Sequence, residues 1–243
     1  MIKQSFRKHS AFAVLAWAAP AALALSLAAC SGQSASAPNA TGANQPAIDP
    51  EVGRNAVAPT ANPNDTPPPI QMFIGTTIGT PTFPEGDTAT GGQGQTIDGT
   101  LNCLKAVGGP GHHHIHLSHF VDGQQIAIPR GIGMFQPDHN VFIYHQTCLY
   151  FLHTHDDTGM VHMEPRVGQG SFKLGNVFDM WGEPLTTTNV AGYVGTQTVI
   201  VNGQTYIGNQ RLIQLAPYMQ ITIEEGIPLD GPPPTYLFPP EYP

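Results

Sequence analysis

The chain has 243 residues, nine Lys and Arg against 17 Asp and Glu, and a formal charge of −8 with histidine neutral. That balance argues against nucleic acid as a partner, because phosphate recognition needs a concentrated basic face. Its length fits one ordinary domain with a real core beside less structured segments.

Residues 1–29 read as an address. Lys3, Arg7 and Lys8 precede an interrupted apolar run, and small residues follow. The ending Leu27-Ala28-Ala29-Cys30 resembles the lipobox of bacterial lipoproteins. That resemblance implies a signal peptide over 1–29, acylation of Cys30, and a membrane partner reached through the lipid anchor. The expected location is the bacterial cell envelope, facing the periplasm or the surface. The alternative is an ordinary secretory signal followed by a chance cysteine. Cleavage removes three of the nine basic residues and leaves a charge of about −11, compatible with attracting cations. Cys103 and Cys148 then remain, and in an exported protein two cysteines most simply form one disulfide. Thiolate ligation of a metal is the other reading.

Residues 30–70 are rich in Ala, Pro, Asn, Ser and Thr and nearly devoid of large apolar side chains. Such a segment cannot bury enough surface to offset its ordering entropy, so a flexible tether is expected. The remainder, 71–243, reads as a single strand-rich domain. Residues 112–121 form the first clear strand, Asp122-Gly123 a type I′ turn, and 124–128 the return. Strand side chains alternate between faces. Leu117, Val121, Ile126 and Ile128 therefore share one face, and His112, His114, His116 and Ser118 the other. The apolar face should meet the core, leaving the histidine ladder on the more polar side.

Residues 130–147 read as a loop and 148–155 as a second strand, with His153 and His155 on one face. Asp156-Asp157-Thr158-Gly159 has turn chemistry, and 160–164 should return as a strand. A hairpin closed by that turn sets His153 opposite His162 and His155 opposite Met160. Val177, Phe178 and Trp181 give 174–181 a helical apolar face, stopped by Gly182 and Pro184. Further strands are expected at 196–201, before an Asn202-Gly203 turn, and at 219–224. The proline-rich end from Pro228 should be an extended tail on the surface.

Ten of the eleven histidines fall between His112 and His162. Imidazole is the commonest protein metal ligand near neutral pH. The candidate ligands are His112, His114, His116, His153, His155 and His162, more than one tetrahedral ion needs. Asp156, Glu164 and Met160 are candidate ligands or orienting groups. Met134, Met160 and Met163 bring soft sulfur near the second cluster, and thioether with imidazole favours copper. Imidazole with carboxylate favours zinc or another divalent ion. Against this, histidine runs are often only solvated polar surface. His113 and His119 fall on the core-side phase and read as structural, His139 and His145 as incidental. Asp156 is also placed to cap its own turn.

The strings HHHIHLSHFVDGQQIAIPRGIG, CLYFLHTHDDTGMVHMEP and FKLGNVFDMWGEPL, in this order, resemble a family of uncharacterised exported bacterial proteins. Its pattern has an HxHxH strand, a His-Thr-His-Asp hairpin, an Ile-His-Ile-Glu type strand and a Phe-x-x-Trp-Gly helix. The match spans about residues 98–238. The HxHxH falls on His112, His114 and His116, and the second set on His153, His155, Asp156, His162 and Glu164. The resemblance implies a common folded unit and no particular reaction. A weaker resemblance is to cupredoxins and multicopper oxidases, whose copper sites use paired HxH strands. Those oxidases combine several domains and use a copper-ligating cysteine flanked by histidines, whereas Cys148 lies five residues before His153. The closing segment 201–226 resembles the end of a β-grasp domain.

These readings combine into an α+β, strand-rich single domain with one main helix and a β-grasp-like end. The expected function is binding of a transition metal, copper ahead of zinc, by a membrane-anchored envelope lipoprotein with a metal-transfer partner. A metal-dependent oxidase or hydrolase using the same histidines is the alternative, with Glu164 or Asp156 as base. A structural or interaction lipoprotein is the third reading.

Overall fold

The computed structural model describes residues 66–109, 111–166 and 170–241. The signal segment, Cys30 and nearly all of the expected tether lie outside them. In chain order the strands are β1 (Ile70–Gln71), β2 (His113–Val121), β3 (Gln124–Ile126), β4 (Met134–Pro137), β5 (Gln146–Leu149), β6 (Leu152–His153), β7 (Met160–Met163), β8 (Asn189–Val190), β9 (Tyr193–Val194), β10 (Gln197–Val201), β11 (Gln204–Thr205), β12 (Gln220–Glu225) and β13 (Tyr236–Leu237). The one α-helix among the described residues, α1 (Leu174–Trp181), lies between β7 and β8. The fold is strand-rich α+β. No helix among these residues is long and apolar enough to cross a membrane.

The main sheet is ordered β11-β10-β12-β2-β7-β6, with β3 paired to β2. β2 and β12 run parallel, Leu117 beside Ile221. β7 and β10 run antiparallel to their neighbours β2 and β12. The first long strand and the last long one thus pair in parallel at the centre with the helix between them, the β-grasp order that the closing segment resembles.

Alternation gives this sheet two distinct faces. Ile115, Leu117, Val161, Met163, Val199, Ile221 and Ile223 form the core face, packed with Leu174, Val177, Phe178 and Trp181 of α1. The helix starts where the Asn176 side chain accepts the Lys173 N–H at 2.9 Å, and it stops at Gly182 in the left-handed region. The opposite face carries His114, His116, Ser118, Met160 and His162, all buried. This is the side opposite the core face, where the sequence put the histidine ladder, and it is itself covered. The cover comes partly from the chain end: β13 pairs with β1, and Tyr236 is buried, stacked on His116 at 3.7 Å between ring centroids. The C-terminal segment is therefore not simply a surface tail. Its extended backbone needs partners, and the Gln220 side chain bonds both the N–H and the C=O of Tyr236.

Two other expectations change. Residues 130–147 contain a hairpin rather than a loop: β4 pairs with β5 outside the main sheet. Residues 148–155 are not one strand, because the chain leaves the β4–β5 pair at Tyr150. The Tyr150 hydroxyl donates to the Gln95 carbonyl at 2.6 Å, and its N–H donates to Gly133. Cys103 and Cys148 are bridged, with Cα atoms 5.5 Å apart. Closing a loop of 45 residues contributes about 4 kcal/mol in the chain-entropy model.

The turns follow the sequence. Asp122 and Gly123 both have positive φ, as do Asn202 and Gly203, which is type I′ geometry. Gly159 also has positive φ, and a Cβ there would lie 2.4 Å from the Leu117 carbonyl oxygen and 3.1 Å from His116 Nε2. Gly123 has open space around it. Gly159→Ala should therefore cost about 2–5 kcal/mol, from left-handed strain and a forced backbone shift. Gly123→Ala should cost only about 1 kcal/mol. Urea unfolding of the two variants checks this; equal losses would mean that β2 does not press on the turn as described.

Candidate metal centre

His114 and His162 face each other across β2 and β7, and His153 faces His162 across β6 and β7. Strand pairing alone thus stacks three histidines on one face. His112 lies one residue before β2 and still turns inward. His155 lies just past β6, beyond the ladder, and Met160 opposes His116 instead of His155.

Around His162 the rings form two overlapping groups. His112, His114 and His162 offer three nitrogens within 4.8 Å of one another, and so do His153, His155 and His162. Both groups could hold a metal ion. In the first, the Nε2 atoms of His112 and His114 lie 3.0 and 3.2 Å from one atom, His162 Nδ1. His162 Nδ1 offers either one proton or one lone pair, so it makes a full hydrogen bond with only one of the two rings at a time. Two imidazole nitrogens bound to one zinc-like ion at about 2.0–2.1 Å, at angles near 90–109°, are separated by about 2.9–3.4 Å. Both observed separations fall in that range.

The second group is set by its outer hydrogen bonds. His153 Nδ1 lies 2.9 Å from the Tyr150 carbonyl, and His155 Nδ1 lies 2.5 Å from the Ile143 carbonyl. A carbonyl only accepts, so both Nδ1 atoms carry the proton and both Nε2 atoms carry the lone pair. Donation of the far ring N–H to a backbone carbonyl is how proteins orient ligating histidines. His153 Nε2 is buried without a hydrogen bond, and the nearest carboxylate oxygen, Glu164 Oε1, is 3.7 Å away. The Ile143 N–H bonds the His155 carbonyl in return, and Phe142 stacks on the His155 ring at 4.8 Å.

The remaining sequence candidates take other places. The structure sets His116 apart from both groups. Its Nε2 donates to the Thr158 carbonyl at 2.8 Å, leaving Nδ1 to accept from Ser118 Oγ at 3.2 Å. Asp156 caps its turn: it accepts from the Gly75 N–H and from the Thr158 N–H and hydroxyl. Met160 is buried opposite His116, and Met163 belongs to the core. Glu164 does join the cluster, with Oε1 3.3 Å from His112 Nε2 as well as near His153. Cys103 and Cys148, being bridged, offer no thiolate. On the core face, His119 lies 3.4 Å from the buried Glu225. Sequence reasoning had no access to Tyr150 and Ile143, which act through backbone carbonyls. Tyr236 had a signal, an aromatic residue isolated in a proline-rich end.

Burial keeps the cluster uncharged. It lowers His114 to about 3, helped by the neighbouring imidazoles, and His116 and His119 to about 4. His153 and His162 are pushed well below the ordinary value by burial and then by adjacent histidines. His112 and His155 are also lowered, burial again first. Burial raises Glu164.

These directions fix the acid response of the metal-free protein. Unfolded histidines titrate near 6.5, so below that pH the unfolded chain takes up protons that the folded chain refuses. The histidine contribution is full above 6.5 and is lost as pH falls toward the folded values. Each fully buried histidine costs about 1.4 kcal/mol per pH unit in that window. The raised carboxyls of Asp156, Glu164, Glu224 and Glu225 act with the opposite sign, and so does the raised, exposed His139. The urea midpoint of metal-free protein should fall steeply between pH 7 and 5; a flat profile would contradict the buried neutral cluster.

No family model, no curated protein and no solved structure matches this chain, and the chemistry therefore rests on the geometry of the centre itself.

Proposed function

We propose that this protein binds a transition metal ion, copper ahead of zinc, as a lipid-anchored protein of the bacterial cell envelope. The observation that carries the metal reading is the pair of carbonyl-fixed rings. His153 and His155 have their protons on the outside and their lone pairs on the inside, and they share His162 with two further imidazoles. Copper leads because an imidazole-rich set binds Cu(II) more tightly than other divalent first-row ions. Sulfur adds nothing to that preference, since Met134 and Met163 pack in the hydrophobic core and Met160 sits opposite His116. Holding an ion is favoured over turnover by the closed site: His114, His153 and His162 are at most 2% exposed, and His112 forms its outer edge. Delivery to a transfer partner fits that chemistry.

Titration of metal-free protein with Cu(II), Cu(I) and Zn(II) tests the reading. His153→Ala with His155→Ala should weaken binding by more than the roughly 10–100-fold that loss of an outer hydrogen-bond partner costs. His116→Ala should leave affinity nearly unchanged, its nitrogens being engaged elsewhere. Equal binding by wild type and the double variant, with both folded by circular dichroism, would refute it.

The anchor is tested separately, because Cys30 lies outside the described residues. Cys30→Ala should move the protein from the membrane to the soluble fraction or block its processing. Unchanged mass and unchanged membrane association in that variant would contradict lipidation.

A further inference from the structure

Five imidazoles and one carboxylate exceed what a single tetrahedral ion takes. They are also not distributed around one point. His112 and His114 approach His162 from one side, through its Nδ1. His153 and His155 form the other group with the same ring, and His162 Nε2 is buried. Ring centroids within the first group are 4.6, 5.2 and 4.5 Å apart, and within the second 4.9, 5.2 and 4.6 Å. Rings whose nitrogens share one ion at about 2.0–2.1 Å have centroids about 4.5–5.3 Å apart. Each triad therefore already has the spacing of a separate ion site. Glu164 is common to both triads, its Oε1 lying 3.3 Å from His112 Nε2 and 3.7 Å from His153 Nε2.

We propose that the cluster is a two-ion centre in which His162 binds one ion through Nδ1 and a second through Nε2, as a bridging imidazolate. His112 and His114 complete the first site, His153 and His155 the second. Glu164 lies between them and offsets part of the added charge. The proposal rests on the metal-binding reading above. Binding through both nitrogens requires His162 to release its single N–H proton to solvent as the second ion arrives. No electron moves and no co-reactant is needed.

The test is a Cu(II) titration of the full-length, metal-free protein, read by native mass spectrometry and electron paramagnetic resonance. Wild type should take two ions per chain. The first should give the signal of an isolated Cu(II), and the second should reduce the intensity per copper, because an imidazolate bridge couples the two spins. His112→Ala with His114→Ala, and separately His153→Ala with His155→Ala, should each bind one ion with an undiminished isolated signal. Saturation of wild type at one ion, or two ions with simply additive signals, would overturn the bridge and leave the metal-binding reading standing. Absence of copper binding would overturn both. The wild-type titration decides the matter even where a double variant does not fold.

Discussion

A strand that carries a hydrophobic core on one face and neutral histidines on the other must be covered twice. β2 is in that position: Ile115 and Leu117 meet α1, while His114 and His116 are equally buried on the far side. Burying an imidazole without partners is costly, so each ring on the far side has to be satisfied locally. The Thr158 carbonyl and Ser118 do this for His116, and the stacked Tyr236 excludes water. Around His162 the neighbours are other imidazoles, in two groups whose nitrogens lie close enough together that each could hold a metal ion. The second cover, in which Tyr236 of β13 lies on His116, is therefore a requirement of a two-sided strand and not an ornament of the fold.

The hairpin between β6 and β7 is held from outside with similar economy. Arg130 clasps the turn: its backbone N–H and guanidinium bond both carboxylate oxygens of Asp157, and the guanidinium also reaches Glu85. Asp156, next to it, bonds inward to Thr158. The two adjacent aspartates thus both tie the turn to its surroundings, Asp157 through Arg130 and Asp156 through the Gly75 N–H, and Asp156 also shapes it. His155, directly before them, is positioned by a loop that bonds it through both backbone and side chain. Rigidity of this kind is what a ligand set needs, because reorganisation on binding subtracts from affinity.

Much of this was legible in the sequence, for definite reasons. Period-two spacing located β2, β7 and β12, and the Asp-Gly and Asn-Gly pairs located their turns. The pairing of His153 with His162 followed from the length of the Asp156–Gly159 turn. The helix was fixed by Val177, Phe178 and Trp181 ahead of Gly182. Where the reading failed, a long-range contact decided the outcome. Residues 130–147 lack alternation strong enough to show a hairpin, and the chain breaks at Tyr150 because its ring and hydroxyl are claimed by residues near Gln95. His116 shares the phase of His114, and nothing local reveals that Thr158 and Tyr236 take it out of the cluster. His155, expected beside His153 from alternation, does stand in one group with His153 and His162, but from a position past the end of β6.

The parallel pairing of β2 with β12 also orders events in time. Every residue of the centre lies within one stretch from His112 to Glu164, on β2, β6 and β7 or beside them, although only β6 and β7 are joined by a short loop. The strand beside β2, β12, and the ring that covers His116, Tyr236, come only in the last quarter of the chain. Contacts of such long sequence separation form late. The strands that carry the histidines are thus complete in the chain before the strand beside β2 and the ring over His116 are made. Because His114, His153 and His162 are buried once the fold is complete, an ion added during refolding would reach them faster than one added to the folded protein.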